Sequence, residues 1–118
     1  MNGLLVICLC AEWCGTCRDY HPEFEALGIN FPQHHFLWID IEDQADLVSD
    51  IDIENFPTLL VANGDRILFA GTMQPHIGHL RRLLLALDEN TEPQLGKLSI
   101  KEFDLFRALV ARIAKEMT

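Results

Sequence analysis

Residues 3–17 read GLLVICLCAEWCGTC, and this stretch decides the fold. Residues 3–10 are apolar without interruption, which is typical of a strand buried on both faces of a sheet. Residues 11–16 have turn character, and a helix is predicted over residues 17–27 with Gly28 as its stop. The stretch therefore predicts a strand, a turn and a helix in close succession.

The rest of the chain alternates short apolar segments with amphipathic ones. Three further strands are predicted over residues 35–41, 58–62 and 66–70. Asn63 and Gly64 predict a hairpin turn between the last two, because both residue types accept positive φ. Three further helices are predicted within residues 42–50, over 77–87 and over 99–117, the last of them opening on a capping box. This order of elements predicts a mixed sheet with helices on both faces.

Composition limits the classes of protein. A chain of 118 residues suits one domain, with a core over residues 3–88, a linker over 91–98 and an added C-terminal helix over 99–117. The net charge of -9 argues against nucleic acid or an anionic membrane surface as a partner. The longest apolar run is far shorter than a membrane span, and no Lys or Arg precedes it. We therefore expect a cytoplasmic protein.

All four cysteines, Cys8, Cys10, Cys14 and Cys17, lie in one short stretch, which indicates redox chemistry or a metal site. If the helix begins near Cys14, its unpaired backbone N–H groups would stabilise a Cys14 thiolate. Cys17 lies about one turn deeper. Cys14 is thus the expected attacking group, and Cys17 the thiol that displaces the reduced substrate. We interpret Cys8 and Cys10, on one face of the strand, as small buried hydrophobes.

Several motifs together resemble the thioredoxin family. Residues 11–17, AEWCGTC, are similar to the family's active-site segment, with Thr16 where thioredoxin has proline. Residues 56–58, FPT, resemble its cis-proline segment. The remaining matches are Pro22, where the family kinks its helix, the Asn63 and Gly64 turn, and Gly71 after the last strand. The matches are ordered and spaced as in the family over roughly residues 3–88.

The resemblance implies a thioredoxin-like α/β fold, with a four-stranded mixed sheet in the order β-α-β-α-β-β-α plus an extra C-terminal helix. It implies a redox-active Cys14–Cys17 disulfide, with no metal and no other cofactor, facing a cis bond before Pro57. It also implies a substrate-binding surface for a short extended peptide. The residues of that surface would be Trp13, Gly15, Thr16, Ile41, Phe56, Pro57, Gly71 and Thr72. The expected partners are protein disulfide substrates and a recycling reductant, and a cytoplasmic location would favour reduction.

The sequence also departs from the family pattern. The strand and helix that come first in thioredoxins are absent, so the strand over residues 35–41 is expected at a sheet edge, where a homodimer could form. The helix that begins at Ser99 is expected to cover a sheet face. The family's buried acid aligns with Cys8 and its lysine partner with Trp38. Because the usual base for Cys17 is then missing, we expect turnover slower than that of thioredoxin.

Two other functions stay open at this point. The first is a non-catalytic thioredoxin-like adaptor or chaperone that binds partners through Trp13, Phe56 and Pro57. The second is a zinc-binding module that uses all four cysteines, since structural zinc is often held by four thiolates.

Overall fold

The computed structural model describes residues 3–11, 14–48, 57–64, 66–89 and 100–117. Within these ranges, the elements follow one another in the predicted order β-α-β-α-β-β-α-α. The strands are β1 (Leu5–Cys10), β2 (His35–Asp40), β3 (Thr58–Asn63) and β4 (Arg66–Thr72). The helices are α1 (Gly15–Asn30), α2 (Ala45–Val48), α3 (Ile77–Glu89) and α4 (Ile100–Met117). No helix in the described ranges is long and apolar enough to cross a bilayer.

The four strands form one mixed sheet in the order β2-β1-β3-β4. β1 pairs with β2 in parallel and with β3 antiparallel, and β3 pairs antiparallel with β4. The predicted mixed sheet and the predicted edge position of β2 are confirmed. This topology brings the carboxyl ends of β1, β2 and β4 to one end of the sheet, together with the start of β3.

β1 is buried on both faces, as its uninterrupted apolar sequence predicts. Val6, Cys8 and Cys10 belong to a core cluster with residues of α1 and α3, whereas Ile7 and Leu9 belong to a cluster with residues of α4. Alternate residues of a strand point to opposite faces, so each side of β1 lies beneath a different helical layer.

α4 covers the second face of the sheet, which confirms the role predicted for the C-terminal helix. Its buried residues pack against Ile7, Leu9 and Ile39 of the sheet. These helix residues are Phe106, Leu109, Val110 and Ile113. The predicted capping residue Ser99 and the predicted linker over residues 91–98 lie outside the described residues.

Glycine is involved in two of the element boundaries that were predicted wrongly. α1 does not stop at Gly28 but continues to Asn30. Gly28 lies against β2, and a Cβ at this position would be 3.1 Å from Phe36 Cγ. The glycine therefore serves the close packing of helix on strand. β4 runs beyond its predicted end at residue 70 to Thr72, through Gly71 with a φ of 153°.

Candidate active site

The end of the sheet where β1 and β2 finish holds several of the predicted site residues. Ile41 follows β2, and its N–H donates to the Cys10 carbonyl at 2.9 Å. On the other side of β1, Leu9 pairs with Thr58, so the same register carried one step further brings Pro57 beside Cys10. The ends of three strands therefore surround Cys10.

Pro57 also connects this end of β3 to the end of β4. Thr58 pairs with Thr72, and the Met73 N–H donates to the Pro57 carbonyl at 3.1 Å. Pro57 is buried, Gly71 is partly buried and Thr72 is exposed. Predicted substrate-binding residues from separate parts of the sequence thus come together at one sheet end. The cis state predicted for Pro57 stays a prediction.

Cys14 is the N-cap of α1, because α1 begins at Gly15, two residues before its predicted start at Cys17. Its N–H donates to the Ala11 carbonyl at 3.0 Å, and its carbonyl accepts from the Arg18 N–H at 3.1 Å. The side chain makes no capping hydrogen bond. Cys14 is a free, partly exposed thiol at the positive end of the α1 dipole.

Gly15 and Thr16 follow Cys14 in the first turn of α1, and both are exposed. Cys17, by contrast, is fully buried, as predicted for a residue one turn deeper. The Ala11 N–H donates to Cys17 Sγ at 3.4 Å. A partner that approaches this end of the sheet therefore meets Cys14 before it meets Cys17.

Cys17 is disulfide-bonded to Cys10, and not to Cys14 as the family resemblance implied. The Cα atoms of Cys10 and Cys17 are 5.8 Å apart, a usual separation for a disulfide. Cys10 is buried in the core as interpreted, but it is a disulfide partner and not merely a small hydrophobe. Cys10 is the last residue of β1 and points toward α1, so its sulfur lies directly beneath the first turn of that helix.

The sequence did contain a signal for this pairing. A period of two places Cys8 and Cys10 on the same face of β1, and the shortness of the following turn brings that face under the start of α1. The sequence does not predict the distance between Cys17 and the sheet, because that distance depends on how α1 packs on β1.

Cys8 lies next in this row of sulfur atoms and is a free, fully buried thiol. Its Sγ donates to Cys10 Sγ across 3.9 Å. Burial raises the pKa of the Cys8 thiol far above its ordinary value, because a thiolate would lose its hydration. Cys8 pairs with Trp38 in the β1–β2 register. The two positions that align with the family's acid and lysine therefore hold a protonated thiol and an indole.

A groove beside Cys17 was not foreseen from the sequence. Its volume is about 400 Å³, and it is lined by Cys17, Arg18, His21, Pro22, Glu25 and Trp38. The His21 ring stacks on Trp38 with centroids 4.0 Å apart, and His21 Nε2 lies 2.9 Å from a Glu25 carboxylate oxygen. The stacking holds the imidazole at one wall of the groove.

Two predicted substrate-binding residues, Trp13 and Phe56, lie outside the described residues. Within the described part of the chain, no group of three or more His, Cys, Asp or Glu side chains is arranged to hold a metal ion. The four-cysteine zinc site thus gains no support from the cysteines' arrangement.

The fold and the site together define an α/β domain that carries a C-x-x-C segment at the amino end of its first helix. The thioredoxin family model matches residues 1–77, and the chain belongs to the thioredoxin family. The matched range ends at the first residue of α3, so α4 lies beyond it.

Individual relatives agree with this assignment. The chain is 35% identical over 57 residues to a thioredoxin H-type from Picea mariana, covering 48% of this chain and 46% of the relative. It is 34% identical over 57 residues to a thioredoxin from Ophiophagus hannah, covering 48% of this chain and 54% of the relative. The chain thus spans about half the length of these curated relatives.

Solved thioredoxin structures share the fold. The thioredoxin of Trypanosoma brucei brucei superimposes with a TM-score of 0.67 at 25% identity, covering 75% of this chain and 78% of that one. The thioredoxin of Fasciola hepatica gives a TM-score of 0.65 at 22% identity, covering 72% of this chain and 81% of that one. The predicted thioredoxin-like fold is confirmed.

Proposed function

We propose that this chain is a thiol–disulfide oxidoreductase in which Cys14 attacks protein disulfides. The observation that carries the proposal is the position of Cys14, a free and partly exposed thiol at the N-cap of α1. The backbone N–H groups of the first helical turn favour a negative charge on its sulfur. Membership of the thioredoxin family supports the same chemistry.

In the proposed reaction, the reduced protein carries free thiols at Cys14 and Cys17. The Cys14 thiolate attacks one sulfur of the substrate disulfide, and the other substrate sulfur leaves as a thiolate. The Cys17 thiol then attacks Cys14 Sγ in the mixed disulfide, which releases the reduced substrate and closes the Cys14–Cys17 disulfide. An external reductant returns both thiols and completes the cycle.

The substrate is proposed to be an extended peptide segment that docks at the sheet end around Cys10. Ile41, Pro57, Gly71 and Thr72 meet there from three strands, and Pro57 is buried while Thr72 is exposed. Trp13 and Phe56 flank Cys14 and Pro57 in the sequence and are proposed to complete the surface. Short extended peptides suit such an apolar surface.

The proposed direction is reduction of the substrate, in a compartment such as the cytoplasm that keeps thiols reduced. We also propose that two copies of the chain can pair through β2 to form a homodimer, because β2 lies at the edge of the sheet. Gel filtration that gives a monomer over a wide concentration range would contradict this arrangement.

The test is the reduction of insulin disulfides by dithiothreitol, followed through the turbidity of the released B chain. Cys14→Ser is expected to lower the rate to that of dithiothreitol alone, because the attacking sulfur is lost. Cys8→Ala removes a buried cysteine from the same stretch and is expected to keep the rate of the unchanged protein. Full activity of the Cys14→Ser variant would overturn the proposed function.

A second measurement separates an enzyme from an adaptor. Cys17→Ser leaves the attacking thiol but removes the resolving one, so incubation with oxidised protein substrates is expected to trap disulfide-linked partners. A matched Cys14→Ser variant is expected to trap none. An adaptor that binds without chemistry would give no linked partner with either variant.

A further inference from the structure

Cys17 has two neighbouring cysteines, one along α1 and one in β1. Cys14 precedes it by one helical turn, and Cys10 is bonded to it from β1 below. Cys10 and Cys17 are both fully buried, whereas Cys14 is partly exposed. The buried side of the exchange site therefore carries a cysteine that the two-cysteine reaction leaves unused.

We infer that Cys10 is a third redox-active cysteine. It replaces Cys14 as the disulfide partner of Cys17, and Cys14 becomes a free thiol again. The inference rests on the proposed function and adds a step to it. The Cys10–Cys17 bond and the free Cys14 thiol of this structure are the two products of that step.

The step is an internal disulfide exchange and needs no outside oxidant. The Cys10 thiol gives up its proton and attacks Cys17 Sγ in the Cys14–Cys17 disulfide. The Cys10–Cys17 bond forms, the Cys14–Cys17 bond breaks, and the electron pair leaves on Cys14 Sγ, which takes up a proton. One disulfide replaces another, so the protein as a whole is neither oxidised nor reduced.

The exchange changes what the oxidised protein presents to a partner. The new disulfide is buried between β1 and α1, where an external thiol reaches it with difficulty. Cys14 remains a partly exposed thiol that can attack another disulfide. Because Cys17 is occupied, the resulting mixed disulfide lacks its resolving thiol. The Cys10–Cys17 bond thus converts a two-thiol exchange site into a one-thiol capture site.

Cys8 offers a matched control for Cys10. Both are fully buried cysteines on the same face of β1, and their sulfurs are 3.9 Å apart. Cys10 is bonded to Cys17, whereas Cys8 is free. Replacing either residue by alanine removes the same atoms from the same core, but only Cys10→Ala removes the proposed partner of Cys17.

The first experiment maps the disulfide in the full chain. The reduced protein is oxidised with diamide, quenched in acid, unfolded, alkylated and cleaved after glutamate. Cleavage after Glu12 separates residues 1–12, with Cys8 and Cys10, from residues 13–23, with Cys14 and Cys17. Mass spectrometry is expected to find these two peptides joined, with alkylated Cys14. A loop closed within residues 13–23, with residues 1–12 unlinked, would overturn the inference.

Two variants identify which cysteine of residues 1–12 is linked to Cys17. Cys8→Ala is expected to keep the two peptides joined, and Cys10→Ala is expected to separate them and to close the loop within residues 13–23. A link that survives in Cys10→Ala would refute the assignment. The map of the unchanged protein needs no variant, so a Cys10→Ala chain that folds poorly leaves the test intact.

The second experiment labels the oxidised, folded protein with a maleimide. The unchanged protein and Cys8→Ala are expected to take one label, at Cys14, whereas Cys10→Ala takes none because Cys14 is then held by Cys17. Equal labelling of Cys10→Ala and the unchanged protein would count against the inference. These experiments test the inference separately from the proposed function. The proposed function requires only that insulin reduction depends on Cys14, and this holds whichever disulfide is found.

Discussion

Cys8 occupies the position that aligns with the family's buried acid, and its chemistry predicts a slow enzyme. Burial keeps the Cys8 thiol protonated, since its pKa is raised, so it cannot accept the proton of Cys17. A positioned general base is typically worth about 10²- to 10⁴-fold in rate. We expect insulin reduction at neutral pH to be at least about tenfold slower than with a thioredoxin that has the acid. Equal rates for the two proteins under identical conditions would refute this expectation.

Gly71 shows at the residue scale how backbone geometry alone can require glycine. Its φ is 153°, which side-chain-bearing residues rarely adopt, yet a Cβ there would meet no atom within 4 Å. Gly71→Ala is therefore expected to lower the free energy of unfolding by about 1–3 kcal/mol through strain alone. Urea denaturation measures this loss.

Gly78, in α3, is the control for that substitution. A Cβ at Gly78 also meets nothing within 4 Å, but its backbone is helical. Gly78→Ala is expected to raise the free energy of unfolding by up to about 1 kcal/mol, because alanine is the better helix former. If both variants shifted stability in the same direction, backbone strain at Gly71 would not be the cause.

At the scale of elements, α4 is predicted to be a structural part of the domain. Leu109 is 1% exposed and packs into the cluster on the second face of the sheet. Leu109→Ala is expected to lower the free energy of unfolding by about 2–5 kcal/mol, because a large buried side chain leaves a cavity. Ala108→Ser, at an exposed position of the same helix, is expected to change it by less than about 0.5 kcal/mol. Urea denaturation in which Leu109→Ala matched Ala108→Ser would show that α4 detaches in solution.

α1 shows why the boundaries of an element are harder to predict than its existence. The turn residues before it and Gly28 after it indicated a helix, and the helix is there. Its end was misplaced because Gly28 is a good stop signal in isolation, whereas in the folded protein Phe36 of β2 packs on that glycine. A contact between residues of two different elements thus overrode the local signal.

At the scale of the whole molecule, the buried Cys8 and Tyr20 groups predict a loss of stability in alkali. Burial raises the pKa of both above their ordinary values of 9.0 and 10.0. Above pH 9.0 the unfolded chain releases the Cys8 proton while the folded protein keeps it, so rising pH favours unfolding. The contribution of Cys8 to the free energy of unfolding is therefore fully present below pH 9.0 and is lost as the pH rises above it.

The free energy of unfolding is expected to fall with a slope of about 1.4 kcal/mol per pH unit for each group that stays protonated only in the folded state. Urea denaturation of the reduced protein at pH 7, 9, 10 and 11 measures the slope. Cys8→Ala is expected to remove the part of the slope that begins near pH 9. It is expected to leave the larger share of the part that Tyr20 contributes above pH 10.0, because burial raises the Tyr20 pKa more than Cys8 does. A slope unchanged in Cys8→Ala would mean that Cys8 does not remain protonated in the folded core.

The sequence by itself determined the family, the order of elements, the mixed sheet and the exposed position of Cys14. The order of elements follows from local pattern, since residues 3–17 carry a buried strand, a turn and a helix in succession, and the family follows from the motifs that match it. Only the tertiary structure decided which sulfur lies against Cys17. The distance between Cys10 and Cys17 depends on how closely α1 packs on β1, and many contacts distant in sequence set that separation.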